Sequence, residues 1–153
     1  MAYNHKFEEM CADGETFGPV PEAAVAAAEA DLNVKFPEQY REFLQRYGSG
    51  LFRGAEIYGL PDPEQNDPPL WQDVAKVTKQ LREWEQAGAG NPEYIPIADD
   101  GTGVYFFLDT KASPRTKIVA LGPGVEREVS SDLFAFVVDL SEERWLRKFE
   151  QLG

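Results

Sequence analysis

The chain has 153 residues, 42% of them hydrophobic and 12% aromatic, and carries a formal net charge of −12. That length and apolar content suffice for one folded domain with a real core, while no apolar run approaches the roughly 20 residues that span a bilayer. The negative charge works against phosphate backbones and anionic lipid surfaces, so direct nucleic-acid and membrane binding are disfavoured, and a basic protein is the partner class that the field attracts.

The opening MAYNHKFEEM has no apolar stretch behind a basic end and does not read as a secretory signal. Residues 1–18 read as a flexible segment, with Gly14 and Gly18-Pro19 at its exit, and 19–153 as a single domain. Cys11 is the only cysteine, which excludes an internal disulfide and fits a reducing compartment, the cytoplasm. Pro21 suits the first turn of a helix, where a missing N–H is harmless. The alanine-rich run behind it propagates that helix with Val25, Ala28 and Leu32 on one face, and Asn33 stops it. Pro37 opens a second helix. Phe36, Tyr40, Phe43, Leu44 and Tyr47 share its buried side, and Gly48 supplies a left-handed end.

Residues 55–58 predict a short strand closed by Gly59. The segment 61–69 holds four prolines and three acids, a composition that excludes a central strand or a helix interior. Leu70, Val74, Val77, Leu81 and Trp84 then step by four and three, which predicts one amphipathic helix ended by Gly88 and Gly90. Residues 94–98 and 103–108 are rich in aromatic and β-branched side chains and flank Asp99-Asp100-Gly101-Thr102, the chemistry of a hairpin turn. A second hairpin is expected over 118–121 and 125–129 around Gly122-Pro123-Gly124. Ser131 is a candidate cap for a helix carrying Leu133, Phe134, Phe136 and Val137. Ser141 is a candidate cap for a last helix with Trp145, Leu146 and Phe149 facing in. Short strands joined by tight turns, without βαβ alternation, predict an α+β fold: a largely antiparallel sheet packed by helices on one face.

This ordered set resembles the SUKH superfamily, the group that includes the cell-wall-assembly-regulator domain. The resemblance rests on Glu29, Leu32, Phe36, Pro37, Tyr40, Phe43, Leu44, Tyr47 and Gly48, then Ile57 and Gly59. It continues with Ile95, Pro96, Ala98, Asp99, Gly101, Tyr105, Phe107 and Asp109, and covers roughly residues 20–140. Where that family often carries Asn-Gly-Gly after its second helix, this chain reads Tyr47-Gly48-Ser49-Gly50. The resemblance implies a binding protein. Its bacterial members look like immunity proteins that neutralise a cognate toxin, frequently a nuclease, and its eukaryotic relatives like intracellular scaffolds or regulators. Both readings are non-enzymatic; the first expects a basic toxin domain as partner, the second no toxin at all. The toxin-facing residues vary within such families and do not carry over.

Catalytic groups are scarce. His5 is the only histidine, and with Cys11 it falls short of the three or four ligands a zinc site takes, so no metal or cofactor is expected. Neither Gly48-Ser49-Gly50 nor Gly101-Thr102-Gly103 completes a phosphate-cradling loop. Asp99 and Asp100 read first as turn formers, and second as a cation or acid–base pair. For binding, residues 54–75 carry Glu56, Asp62, Glu64, Asp67 and Asp73 without a lysine or arginine, and 83–110 carry six more acids, Asp99 and Asp100 among them, again without one. If the proline loop and the Asp-Asp tip share one side, Glu56, Asp62, Glu64, Asp67, Asp99 and Asp100 form an anionic patch with Trp71 as an aromatic anchor. In the competing reading Trp71 is core and the carboxylates are a solvated rim. One of two alternating sets, Tyr105 with Phe107 or Val104 with Phe106 and Leu108, has to lie away from the helix layer or be covered by something else. Oligomeric state is open.

Overall fold

The computed structural model describes residues 5–85, 88 and 90–142. Its helices are α1 (His5–Asp13), α2 (Glu22–Leu32), α3 (Glu38–Tyr47), α4 (Val74–Glu83) and α5 (Leu133–Ser141). The strands are β1 (Glu15–Thr16), β2 (Gly50–Phe52), β3 (Ala55–Ile57), β4 (Tyr94–Asp99), β5 (Tyr105–Asp109), β6 (Ile118–Gly122) and β7 (Val125–Ser130). The last expected helix, with Trp145, Leu146 and Phe149, lies outside the described residues, as do residues 1–4 of the N-terminal segment.

Every strand pairing is antiparallel, in two sheets ordered β1-β2-β3 and β4-β5-β6-β7. The architecture is α+β as the sequence predicts. The two sheets meet at a β-bulge. Between Pro96 and Ala98 the register slips, so Ile97 has no partner on β5, and its carbonyl instead accepts from the Tyr58 N–H at 2.8 Å. Pro96, lacking an N–H, sits on the edge strand where none is needed.

Helices α2 and α3 start behind Pro21 and Pro37. Asn33 ends α2 in the left-handed region at φ 56. The Asn33 and Val34 N–H groups return to the carbonyls of Ala30 and Glu29, which closes a Schellman-type end. Gly48 also has positive φ, but its φ 74 and ψ −72 make it the centre of a γ-turn, with Ser49 N–H donating to Tyr47 O at 2.8 Å, rather than a helical left-handed cap. Backbones crowd there: a Cβ on Gly59 would lie 1.7 Å from the Gly48 carbonyl oxygen, and one on Gly18 would lie 2.5 Å from the Gly48 nitrogen.

The expectation of a flexible 1–18 is corrected from His5 onward. Helix α1 buries Phe7 and Met10, and the Phe7 ring packs on Phe134, Tyr47, Phe52 and Phe43 with centroids 4.8, 5.5, 5.8 and 6.5 Å away. With only Phe7 and Met10 as large apolar residues in nine, the periodic signal is weak, and tertiary packing supplies what propensity lacks. Strand β1 then pairs with β2. Two smaller corrections follow. Asp132, not Ser131, caps α5 by accepting from Ala135 N–H at 3.0 Å, while Gln39 Oε1 takes the Leu133 N–H at 2.7 Å. Helix α4 starts at Val74 because the Asp73 carboxylate caps it, which leaves Leu70 in a separate 3₁₀ turn, Leu70–Gln72. The stripe therefore buries Val74, Val77 and Leu81 and leaves its ends, Leu70 and Trp84, 47% and 57% exposed.

One core joins the two sheets and the helices, with Phe7, Tyr40, Phe43, Ile57, Ile95, Phe106, Leu108, Phe134 and Val137 among its members. Of the alternating β5 residues, Val104, Phe106 and Leu108 enter that core, and Phe106 meets Phe136 of α5 at 5.1 Å. Phe107 is also buried, but against Tyr94 and Tyr105 and so close to the Gly88 backbone that a Cβ there would lie 2.7 Å from its ring.

Candidate functional site

A broad concavity of about 1190 Å³ runs between the α2–α3 connection and the segment at 110–114. Its charges are largely matched. Arg41 pairs with Glu22 and Glu29, and Lys111 with Glu93. Glu29 is buried there, taking the Phe36 N–H at 2.8 Å. This clasp fixes the turn between α2 and α3.

A second, smaller cleft has the opposite character. Tyr58, Leu70, Trp71, Val77, Gln80, Leu81, Trp84 and Tyr105 enclose about 130 Å³. Tyr58 follows β3, and the bulge at Ile97 holds its backbone. Its carbonyl accepts from the buried Tyr40 hydroxyl at 2.8 Å, and its own hydroxyl donates to Asp99 Oδ1 at 2.9 Å. Tyr105 faces Asp99 across the β4–β5 register. Trp71 is half-buried, edge-on to Phe17 at 5.6 Å. It packs against the core and keeps part of its surface exposed.

Electrostatics tie the carboxylates to this cleft. Burial and the neighbouring Asp99 charge push the Glu56 carboxyl up, and the same two causes push the Tyr58 and Tyr105 hydroxyls up, so both tyrosines stay protonated donors. Asp100 acts as a turn former, its Oδ1 accepting from Thr102 N–H at 2.8 Å, Thr102 Oγ1 at 2.7 Å and Val104 N–H at 3.3 Å. Asp99 Oδ2 accepts from Gly101 N–H at 3.3 Å.

Of the residues singled out by sequence, Trp71 lines the cleft, Asp99 is bonded to the cleft residue Tyr58, Glu56 feels the Asp99 charge, and Asp100 follows Asp99 in the turn. Asp62, Glu64 and Asp67 lie on the exposed loop that leads to Leu70, where Asp62 Oδ1 takes the Glu64 N–H at 2.9 Å and Asp67 adopts a left-handed φ of 54. None of these seven residues takes part in an ion pair among the described residues. Of the basic side chains of α4, Lys79 pairs with Asp31 at 2.7 Å and Arg82 donates to Pro92 O at 3.1 Å, while Lys76 is exposed. Sequence reasoning missed Tyr58, Leu70, Trp84 and Tyr105. Asp73 as a helix cap was a readable signal that Leu70 falls outside α4; nothing local in the sequence links Tyr58 to Asp99. Away from the cleft, His5 is exposed on α1, and burial raises the Cys11 thiol, with the Tyr47 hydrogen bond opposing and Glu8 adding, which works against thiolate reactivity.

Helices packed with two antiparallel sheets that meet at a bulge define an α+β fold. The family model SUKH_6, described as SMI1-KNR4 cell-wall, matches residues 22–137, and the chain belongs to that family. Its fold is similar to the crystal structure of a protein from Pseudomonas syringae pv. tomato, with a TM-score of 0.65 and 18% identity, over 87% of this chain and 93% of that one. No curated protein matches it. Glu29, Phe36, Tyr40 and Phe43, which carry part of the resemblance, are core or clasp residues; Tyr105, which carries it too, lines the cleft, and Asp99 is bonded to the cleft residue Tyr58.

Proposed function

We propose that the chain is a cytoplasmic, non-enzymatic immunity protein that binds a basic toxin domain, of the nuclease kind, and blocks its substrate access. The supporting observation is the edge where Glu56, Asp99 and Asp100, with no cation paired to them among the described residues, border exposed aromatic surface. Asp62, Glu64 and Asp67 extend the same sign of charge along the adjoining loop. Anionic side chains of this kind occupy the positions a nuclease offers to phosphates and speed encounter with it. Family membership supports a binding role in place of catalysis. In keeping with this, no helix of the described residues is long and apolar enough to cross a membrane. The test is co-expression with the toxin encoded beside the gene, together with pull-down of its toxic domain. Protection and capture are expected; loss of viability equal to that with an empty vector, and no capture, would overturn the proposal.

A further inference from the structure

We propose that the cleft between Tyr58, Trp71, Trp84 and Tyr105 is a socket for a single arginine side chain of the partner, an inference that rests on the basic-partner reading above. Size restricts the occupant first. The cleft holds about 130 Å³, well under the roughly 300–1,000 Å³ of sites that bury a drug-sized ligand, so it admits one inserted side chain and not a cofactor. Chemistry restricts it further. Apart from Gln80 the walls are aromatic and aliphatic, and Trp84 stands 57% exposed at the rim.

Negative charge stands next to this lining: Asp99 is bonded to the hydroxyl of the cleft residue Tyr58 at 2.9 Å and is in register with Tyr105, and Glu56 feels the Asp99 charge. An apolar side chain seated here would strip water from these acids and give them no partner. An acidic one would be repelled. A guanidinium stacks flat on indole and phenol rings while its N–H fork reaches a carboxylate. Lysine, a compact and strongly hydrated ammonium, matches the charge but not the stacking surface. Asp99 retains capacity for it, since a carboxylate accepts about four hydrogen bonds and this one receives two, from Tyr58 and Gly101.

The experiment titrates the full ¹⁵N-labelled chain with hexa-arginine and, separately, with hexa-lysine at low salt. Hexa-arginine is expected to shift the indole N–H resonances of Trp71 and Trp84 and to bind about threefold more tightly than hexa-lysine or better. Trp84→Ala is expected to weaken hexa-arginine about three- to fivefold and to leave hexa-lysine nearly unchanged. Asp62→Asn with Glu64→Gln, which lowers only the general field, is expected to weaken both peptides alike. Trp84 is a surface residue, and an unchanged melting temperature verifies that its variant is folded. Shifts scattered over the acidic residues without the indoles would overturn the proposal. So would equal affinity for the two peptides, a Trp84→Ala variant that binds as wild type, or indole shifts that follow protein concentration alone, the mark of a second copy in the cleft. The two readings separate cleanly: protection from the toxin that survives Trp84→Ala and Asp99→Asn sinks the socket alone. Selective hexa-arginine binding without protection sinks the immunity reading alone.

Discussion

Removing the Glu29 carboxylate tests whether the turn between α2 and α3 is held by a buried acid. Glu29 is 8% exposed. Its backbone carbonyl takes the Val34 N–H at 3.1 Å, while its side chain takes the Phe36 N–H at 2.8 Å and pairs with Arg41. In Glu29→Ala the Phe36 N–H, in a residue 2% exposed, loses its acceptor; a buried unsatisfied donor costs about 1–3 kcal/mol. Arg41 keeps Glu22 and stays 26% exposed, so its loss is that of a partly solvated pair, about 0–1 kcal/mol. The sum, about 1–4 kcal/mol, is a sizeable part of the roughly 5–15 kcal/mol that holds a typical domain together. With a urea slope of about 2 kcal/mol/M, the unfolding midpoint should fall by roughly 0.5–2 M at unchanged slope, read by circular dichroism. Glu29→Gln, which retains an acceptor for Phe36, should lose no more than about half as much. A Glu29→Ala midpoint within experimental scatter of wild type, or equal losses for Ala and Gln, would refute the clasp.

Three further perturbations probe other parts of the fold. Phe7→Ala should destabilise by about 3–5 kcal/mol, since it removes a ring with no exposure that touches four aromatic neighbours; a loss below about 1 kcal/mol by urea unfolding would restore the flexible N-terminus. Gly59→Ala should abolish or severely weaken folding because its Cβ would lie 1.7 Å from the Gly48 oxygen, whereas Gly90→Ala, with nothing within 4 Å, should leave the melting temperature unchanged or slightly raised. Burial and Asp99 raise the Glu56 carboxyl above its unfolded value, so its ionised form destabilises the fold at neutral pH, and that penalty fades as pH falls through the raised folded value to below the unfolded one. Glu56→Gln should therefore raise the melting temperature near pH 7 and not near pH 3; a lower melting temperature at neutral pH would contradict this.

Local chemistry made much of the fold legible. Pro21, Asn33 and Pro37 punctuate α2 and α3 because φ restriction, left-handed tolerance and a missing N–H act within a few residues. The two hairpins of β4–β7 were readable from their alternating apolar residues and tight turns. What escaped depends on distant partners. Strands β1 and β2 are two and three residues long and exist by pairing with each other and with β3. Helix α1 is anchored by Phe7 reaching Phe134, far along the chain. The cleft is legible only in part for the same reason: Trp71, Glu56 and the Asp99–Asp100 tip stand out by composition, but Tyr58 and Asp99 are brought together across 41 positions by a bulge at Ile97 that no local pattern announces.

The most direct test of the proposed role is the association rate of the purified chain with its cognate toxin domain, followed by stopped-flow fluorescence at low and at physiological ionic strength. A tight complex is expected, whose association slows at least about tenfold as salt rises and the Debye length shrinks to about 8 Å. No complex at micromolar concentrations would contradict the immunity reading, and a tight complex formed at a salt-independent rate would contradict the role given to the acidic edge.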